Sequence, residues 1–372
     1  MGMNQGPANI EVFKLAPGDI DHLFRRSGVP GNLLANFRYN AEQAAVSSPS
    51  QWFKALTENP VFPAVTRQLL APDLKISFHT GGSHAAEDQY HALLSRESST
   101  VLGLFVNSEG YLLLMLFPDG ESFLEWWAGI YASPGMGDYP AVFDGGLLET
   151  EVLVCALHCI DLYRRFYLES MLDYRAAGVD LSISTADFVQ LLKRSLASGD
   201  KRWLLPTLYE LTPGLKQVPV ALKPEHLKKI KELGFITGKE SVFTLGERSR
   251  LMGTEFVSTW MNATGWQASA LIQGQERSLS RVFLAATAFA NHLFSFETGS
   301  GGEGRFRHQA ASASQLAGTL RQWLETVKKV TGSAPASAKP AEDAAPRASF
   351  CGQCGSAIRP GKKFCSRCGA SI

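Results

Sequence analysis

The chain has 372 residues, a formal net charge of +1 at pH 7, and 45% apolar and 10% aromatic residues. That balance excludes a whole-molecule electrostatic match to nucleic acid or to an anionic membrane, though not a local basic patch. The apolar content suits a large packed core, and the length suits two or three domains. The opening residues, MGMNQGPANIEVF, lack the basic stretch and apolar run of a secretory leader. The most apolar window, VLGLFVNSEGYLLLMLF (101–117), is broken by Asn107, Ser108, Glu109 and Gly110, short of the roughly 18–20 residues of a membrane span. A cytoplasmic location is expected, with reduced cysteines, so that paired thiols read as metal ligands before disulfides.

In chain order, a first α+β unit is expected over 1–150. LAPGDIDHL (15–23) carries a proline where a first helical turn tolerates it and aliphatics at helical spacing. The runs LKISFHT (74–80), STVLGLFVN (99–107) and YLLLMLFP (111–118) read as strands, followed by a helix around Phe123 to Trp127. A helical connector follows over 151–221. Its first helix is EVLVCALHCIDLYRRFYLESMLDYRAAG (151–178), and STADFVQLLKRSL (184–196) opens on Ser184 or Thr185 as N-cap. A second α+β unit is expected over 222–331, opening with LKPEHLKKI (222–230). Its strands are QASALIQG (267–274), RVFLAATAF (281–289), HLFSFET (292–298) and a short run at Phe306 to His308, before a helix from Gln315 to Val327. The order helix, strands, helix occurs twice, and 15–23 and 222–230 share Leu, Pro and two aliphatics at matching positions. An internal repeat is therefore expected. The fold class is α+β: two pseudo-symmetric antiparallel sheet units with helices, paired into one sheet, plus a small C-terminal metal module.

Between body and module, GSAPASAKPAEDAAPRAS (332–349) has no large apolar residue and reads as a flexible linker with an r.m.s. span of roughly 21–25 Å. The module, FCGQCGSAIRPGKKFCSRCGASI (350–372), holds four of the six cysteines as two Cys-x-x-Cys pairs, Cys351 with Cys354 and Cys365 with Cys368. Zn²⁺ takes four ligands at tetrahedral corners, with Zn–S near ~2.3 Å, and two such turns supply them. Gly355 and Gly369 follow the second cysteine of each pair, where a turn around a metal calls for positive φ, and Pro360-Gly361 offers the reversal between the pairs. With Phe350, Ile358, Phe364 and Ile372 as its larger apolar groups, the piece is too small for a hydrophobic core, whereas structural zinc supplies on the order of 10–16 kcal/mol. Arg359, Lys362, Lys363 and Arg367 would surround the four thiolates. CGQCG…IRPGKKFCSRCG resembles the short zinc ribbons at the ends of many bacterial and archaeal proteins. That resemblance implies a structural zinc and a docking role; it does not imply a reaction. A redox dithiol and a basic nucleic-acid tether are the other readings of the module.

Three further groups are candidates for a site. Cys155, His158 and Cys159 share a helix face, as metal ligands or as core among Val152, Leu153, Val154, Ala156, Leu157 and Ile160; the core reading fits free cysteine better. HTGGSH (79–84) with His91 offers three histidines to an unrecognised enzyme, but no G-x-S-x-G elbow exists, and GSGGEG (299–304) lacks the Lys-Ser/Thr of a phosphate loop. HLKKIKELGFITGKESVFTLGERSRLM (226–252) reads helix, strand, turn, strand, helix, the order of many winged-helix DNA-binding domains. It sets Lys228, Lys229, Lys231, Lys239, Arg248 and Arg250 against Glu232, Glu240 and Glu247. Two sheet-bearing halves are similar in architecture to the type VII secretion chaperones, which implies protein binding. The expected function is a non-enzymatic, cytoplasmic protein-binding adaptor or chaperone with structural Zn²⁺ on Cys351, Cys354, Cys365 and Cys368. The alternative is a winged-helix transcriptional regulator; no membrane partner is expected.

Overall fold

The computed structural model describes residues 10–16, 18–35, 48–81, 89–106, 111–135, 146–174, 182–212, 215, 220–239, 241–257, 262–298, 304–333, 349–350 and 357–358. The chain forms two compact units, Met1–Ala334 and Pro335–Ile372. The first contains β1 (Glu11–Leu15), α1 (Asp19–Ser27), α2 (Gln51–Glu58), α3 (Phe62–Leu70), β2 (Leu74–Gly81), β3 (Gln89–Leu94), β4 (Val101–Val106), β5 (Leu112–Phe117) and α4 (Gly120–Tyr131). It continues through β6 (Gly146–Glu149), α5 (Thr150–Leu172), β7 (Ser182–Ser184), α6 (Thr185–Ala197), α7 (Leu204–Leu211), α8 (Pro224–Glu232), β8 (Ile236–Gly238), β9 (Val242–Leu245) and α9 (Glu247–Glu255). It closes with β10 (Ala263–Ile272), β11 (Gln275–Ala286), β12 (Asn291–Thr298), β13 (Gly304–Ala311) and α10 (Ala313–Ser333). The second unit contains β14 (Ser349–Phe350) and β15 (Ala357–Ile358).

The fold is α+β. Ten strands form one antiparallel sheet in the order β1-β5-β4-β3-β2-β10-β11-β12-β13-β6, and three more form a small sheet, β7-β9-β8. Read outward from the β2–β10 junction, each half is a four-stranded meander ending on an edge strand that precedes it in sequence, β1 on one side and β6 on the other. The edge strand that answers β1 is thus β6, whereas 222–230, which the sequence set against 15–23, runs through α8 beside the small sheet. β1, β3 and β6 escaped the sequence reading, which found the other meander strands. Asn107 to Gly110 lies outside the described residues, but β4 and β5 pair with Val106 opposite Leu112, as a hairpin requires.

Strand alternation gives the sheet two faces of different character. On one face Phe78, Tyr90, Trp266, Val282, Leu284 and Leu293 meet Phe123 and Trp127 of α4 and Leu316, Leu320 and Leu324 of α10. Trp266 stands edge-on to Phe78 and Trp127, at 4.8 and 4.5 Å between ring centroids. The opposite face has two helical layers. α1 to α3 cover Leu93, Leu102, Leu104 and Leu114, and the layer that contains α5 covers Phe283, Ala285, Phe294 and Phe306.

Side chains from a distance fasten these layers. Buried Asp19, at the start of α1, accepts hydrogen bonds from the Ser50 amide (2.8 Å) and hydroxyl (2.6 Å), and the same Ser50 hydroxyl caps α2 by accepting from the Phe53 amide. Ser184 caps α6 as expected, accepting from the Asp187 amide at 3.0 Å. α7 has no capping side chain of its own. Asp161 of α5 takes that role, accepting from the Leu204 and Leu205 amides at 2.8 Å each and from Arg164 Nη1 at 2.9 Å. The end of α7 lies so close on the junction that a Cβ at Gly265 would sit 1.7 Å from the Leu211 carbonyl oxygen.

Gly265→Ala must push α7 off the sheet and should lower stability by at least about 1–3 kcal/mol in urea unfolding. Gly129, exposed in α4, has nothing within 4 Å of an added Cβ, so Gly129→Ala should raise stability by about 0.5–1 kcal/mol in the same assay.

Candidate functional site

In the C-terminal unit, β14 and β15 pair antiparallel with Ser349 opposite Ile358 and Phe350 opposite Ala357. Cys351, Cys354 and Gly355 fall between these two strands in the sequence. Those residues, and Cys365 and Cys368, lie outside the described ones. A set of four soft thiolates suits Zn²⁺. Residues 350–372 match the family model of a zinc-ribbon domain. The chain carries a C-terminal zinc ribbon. Among curated proteins nothing matches the chain.

The cysteines and several histidines of the body are buried. Cys155 and Cys159 are buried and free on α5. Burial pushes the Cys155 thiol up to about 12, with Glu151 adding to the effect, and raises that of Cys159 well above its ordinary value, so neither is poised as a thiolate. His158 lies edge-on to Phe188 at 5.0 Å, and neither ring nitrogen has a hydrogen-bond partner among the described residues. Burial lowers it to about 3, with Arg165 adding to the shift. Among the described residues no group of three or more His, Cys, Asp or Glu is placed to hold a metal ion.

The histidines of the meander meet in part. Ser77 stands opposite His91, and His79 is two residues further along β2 on the same face. His91 Nδ1 lies 3.0 Å from Ser77 Oγ. Burial first, then Lys75 and His79, hold His91 down at about 4, which makes it a weak base. His84 lies outside the described residues, as does 299–303 of the glycine-rich run.

The segment 226–252 has the expected order, α8, β8, β9, α9. β7 completes its sheet alongside β9, pairing Ile183 with Phe243. Gly246 donates to the Phe235 carbonyl at 2.7 Å and leaves no room for a Cβ, which would lie 2.3 Å from the Gly234 carbonyl oxygen. Lys228, Lys229, Lys231 and Lys239 are exposed. Two of them have partners: Lys229 pairs with Glu232 at 3.2 Å, and Lys231 donates to the Gly238 carbonyl at 2.5 Å.

One buried polar chain went unnoticed in the sequence. Glu255, at the end of α9, accepts from His292 Nε2 at 2.8 Å, and His292 Nδ1 lies 3.0 Å from His308 Nε2. The Thr287 hydroxyl lies 2.8 Å from the same Glu255 oxygen. The two imidazoles stack at 5.2 Å, nearly parallel, and all three titratable groups are within 5% of complete burial. Burial, then His292, holds His308 well below its ordinary value. The available signal was period two: His292 with Phe294 and Phe296, and His308 with Phe306, each fall on the inward face of a strand.

His91, His158 and His308 are all depressed in the folded protein. Their stabilising contribution is therefore present above the ordinary histidine pKa of about 6.5 and is lost as pH falls toward the folded values. Below about pH 6.5 the unfolded chain binds the extra protons. His158→Leu should make the acid-side slope of unfolding free energy shallower by up to about 1.4 kcal/mol per pH unit, measured by urea unfolding at fixed pH values from 7 to 4.

Proposed function

We propose that the protein is a non-enzymatic, protein-binding adaptor or chaperone, in which a large α+β body and a zinc ribbon each contribute a contact. The observation that carries this reading is the ribbon's standing as a compact unit of its own, separate from Met1–Ala334. Cys351, Cys354, Cys365 and Cys368 would hold the metal, which when bound supplies the folding energy that this small piece lacks. With all four positions filled by cysteine, no open coordination site is left for a substrate. The linker expected over 332–349 loses its ends to α10, which runs to Ser333, and to β14, which starts at Ser349; 334–348, outside the described residues, would act as the tether, and the second contact raises effective concentration at the first. The body's two matching strand orders support reading it as a structural duplication, with the boundary before β6.

Purified protein should contain one zinc per chain by elemental analysis. Cys365→Ser should lower that content well below one equivalent while Cys155→Ala leaves it unchanged; loss of zinc in the Cys155 variant would overturn the ligand assignment. Deleting 334–372 should leave the unfolding transition of the body in place and weaken capture of a binding protein in quantitative pull-downs. A drop in body stability on truncation would mark the ribbon as a structural part of the body instead.

A second reading rests on α8, which directly precedes the β8–β9 hairpin and exposes Lys228, Lys229 and Lys231, with Lys239 after β8. If that face meets duplex DNA, log affinity should fall with log salt by about 0.9 per phosphate contacted. Fluorescence anisotropy showing no binding at low salt removes this reading.

A further inference from the structure

The polar strip at the middle of the sheet holds an arginine without a counter-charge. His91, Ser77, Gln267 and Arg281 stand opposite one another on β3, β2, β10 and β11 and so share one face of the sheet. The row runs on as Leu104 of β4, packed under α1 to α3, and as Phe296 and Phe306 of β12 and β13, packed in the layer that contains α5. Its four polar members therefore span the gap between the two helical layers, about 14 Å of sheet at ~4.8 Å per strand. His91, Gln267 and Arg281 are each only partly buried, so solvent reaches the gap.

Charge and hydrogen bonding identify the ligand. Lys75, two residues before Ser77 on the same face, is paired with Glu276 at 3.1 Å. His91 is held at about 4 by burial first, then by Lys75 and His79, so it is neutral at pH 7, and its Nδ1 lies 3.0 Å from Ser77 Oγ. Arg281 forms no hydrogen bond or ion pair among the described residues, and its Nε is sealed from solvent without an acceptor. A partly desolvated guanidinium with no anion beside it is costly. The guanidinium lies over the Phe296 ring at 5.8 Å, a contact that occupies its face and leaves the donors on its edge open. The Gln267 amide, directly opposite on β10, also makes no side-chain hydrogen bond among the described residues. One uncompensated positive charge in the row calls for a monoanion. A planar fork of N–H donors beside an amide matches the two coplanar oxygens of a carboxylate, whereas a phosphate dianion would leave excess negative charge. We propose that Arg281 and Gln267 form a carboxylate-binding site on the floor between the two helical layers, taking the acid group of a small molecule or of a peptide.

Ligand-detected NMR on the full-length protein at constant ionic strength tests this, with acetate as the probe, acetamide as its neutral counterpart, and inorganic phosphate scored by displacement of acetate. Acetate should bind saturably in the millimolar range, acetamide should not, and phosphate should need at least about tenfold higher concentration. Arg281→Met, which keeps an apolar stem beside Phe296, should weaken acetate binding at least about tenfold, and Gln267→Leu about fivefold. An N-acetyl dipeptide acid that binds more tightly than acetate identifies a peptide carboxylate as the source; one that does not identifies a small acid. Without carboxylate, Arg281→Met should leave the urea unfolding midpoint unchanged or raise it, because it removes an unpaired charge. A lower midpoint would make Arg281 a structural residue and overturn the proposal. So would the absence of saturable acetate binding, binding indifferent to Arg281→Met, equal binding of acetamide, or a preference for phosphate.

Discussion

The β2–β10 ladder is the constraint on which the body depends. Eight residue pairs, from Ala263 with Gly81 to Ala270 with Leu74, join two five-stranded halves into one sheet. Remove that pairing and each half presents a long unpaired edge, which proteins normally short-circuit, twist away or cover. Here the edges left open are β1 and β6, five and four residues long. Joining the halves through their long central strands, and ending both on short ones, confines the exposed backbone groups to the sheet's two ends.

The same ladder determines how the layers meet. On one face it carries the aromatic cluster of Phe78 and Trp266, and both α4 and α10 close over it. Trp127 from α4 and Trp323 from α10 each stand edge-on to Trp266, and Arg321 of α10 pairs with Glu121 of α4. The helix that ends each meander therefore packs across the join, and the two halves share a core. On the other face the ladder is polar in the middle, with Lys75, Ser77, His79, Gln267 and Ser269 between the two helical layers. Lys75 is tied to Glu276 at 3.1 Å, so this strip is compensated in part by its own sheet.

What was legible in the sequence follows from how far apart the determining residues lie. The zinc ribbon depends on spacings of three within each cysteine pair and on a composition too poor in apolar residues for any other core. All of that is local. The meander strands were legible because LKISFHT and HLFSFET alternate, and α5 because its apolar residues recur at helical spacing. β6 was not: GLLE has no alternation that separates it from a loop, and its strand character comes from pairing with β13, more than 150 residues away. Polar partnerships were hidden for the same reason. Asp161 serves α7 across a separation of 43 residues, and Glu255 meets His292 across 37. The Cys155, His158 and Cys159 trio shows the converse. Its spacing suits metal binding, but the apolar residues around it already placed it in the core, and core burial holds both thiols protonated and the imidazole neutral.

The two halves differ in what each inserts between its edge strand and its meander. Among the described residues the first inserts α1, α2 and α3, which pack on the sheet through aliphatic residues and Phe53. Among the described residues the second inserts α5 to α9 and a small sheet, a layer thick enough to have polar groups at its base. The Glu255–His292–His308 chain lies at that base, tying the end of α9 to β12 and β13. Apolar packing alone tolerates sliding of a helix over a sheet, because leucine for leucine the contact changes little. A buried carboxylate does not tolerate it, because a small displacement leaves a charge in the core without its imidazole partner. One Glu255 oxygen is already without a hydrogen-bond partner among the described residues, so the chain adds little net stability. Its physical effect is to restrict α9 to one position. Because α9 packs on α5, where a Cβ at Gly253 would lie 2.2 Å from the Tyr163 ring, the restriction extends to the long central helix of that layer.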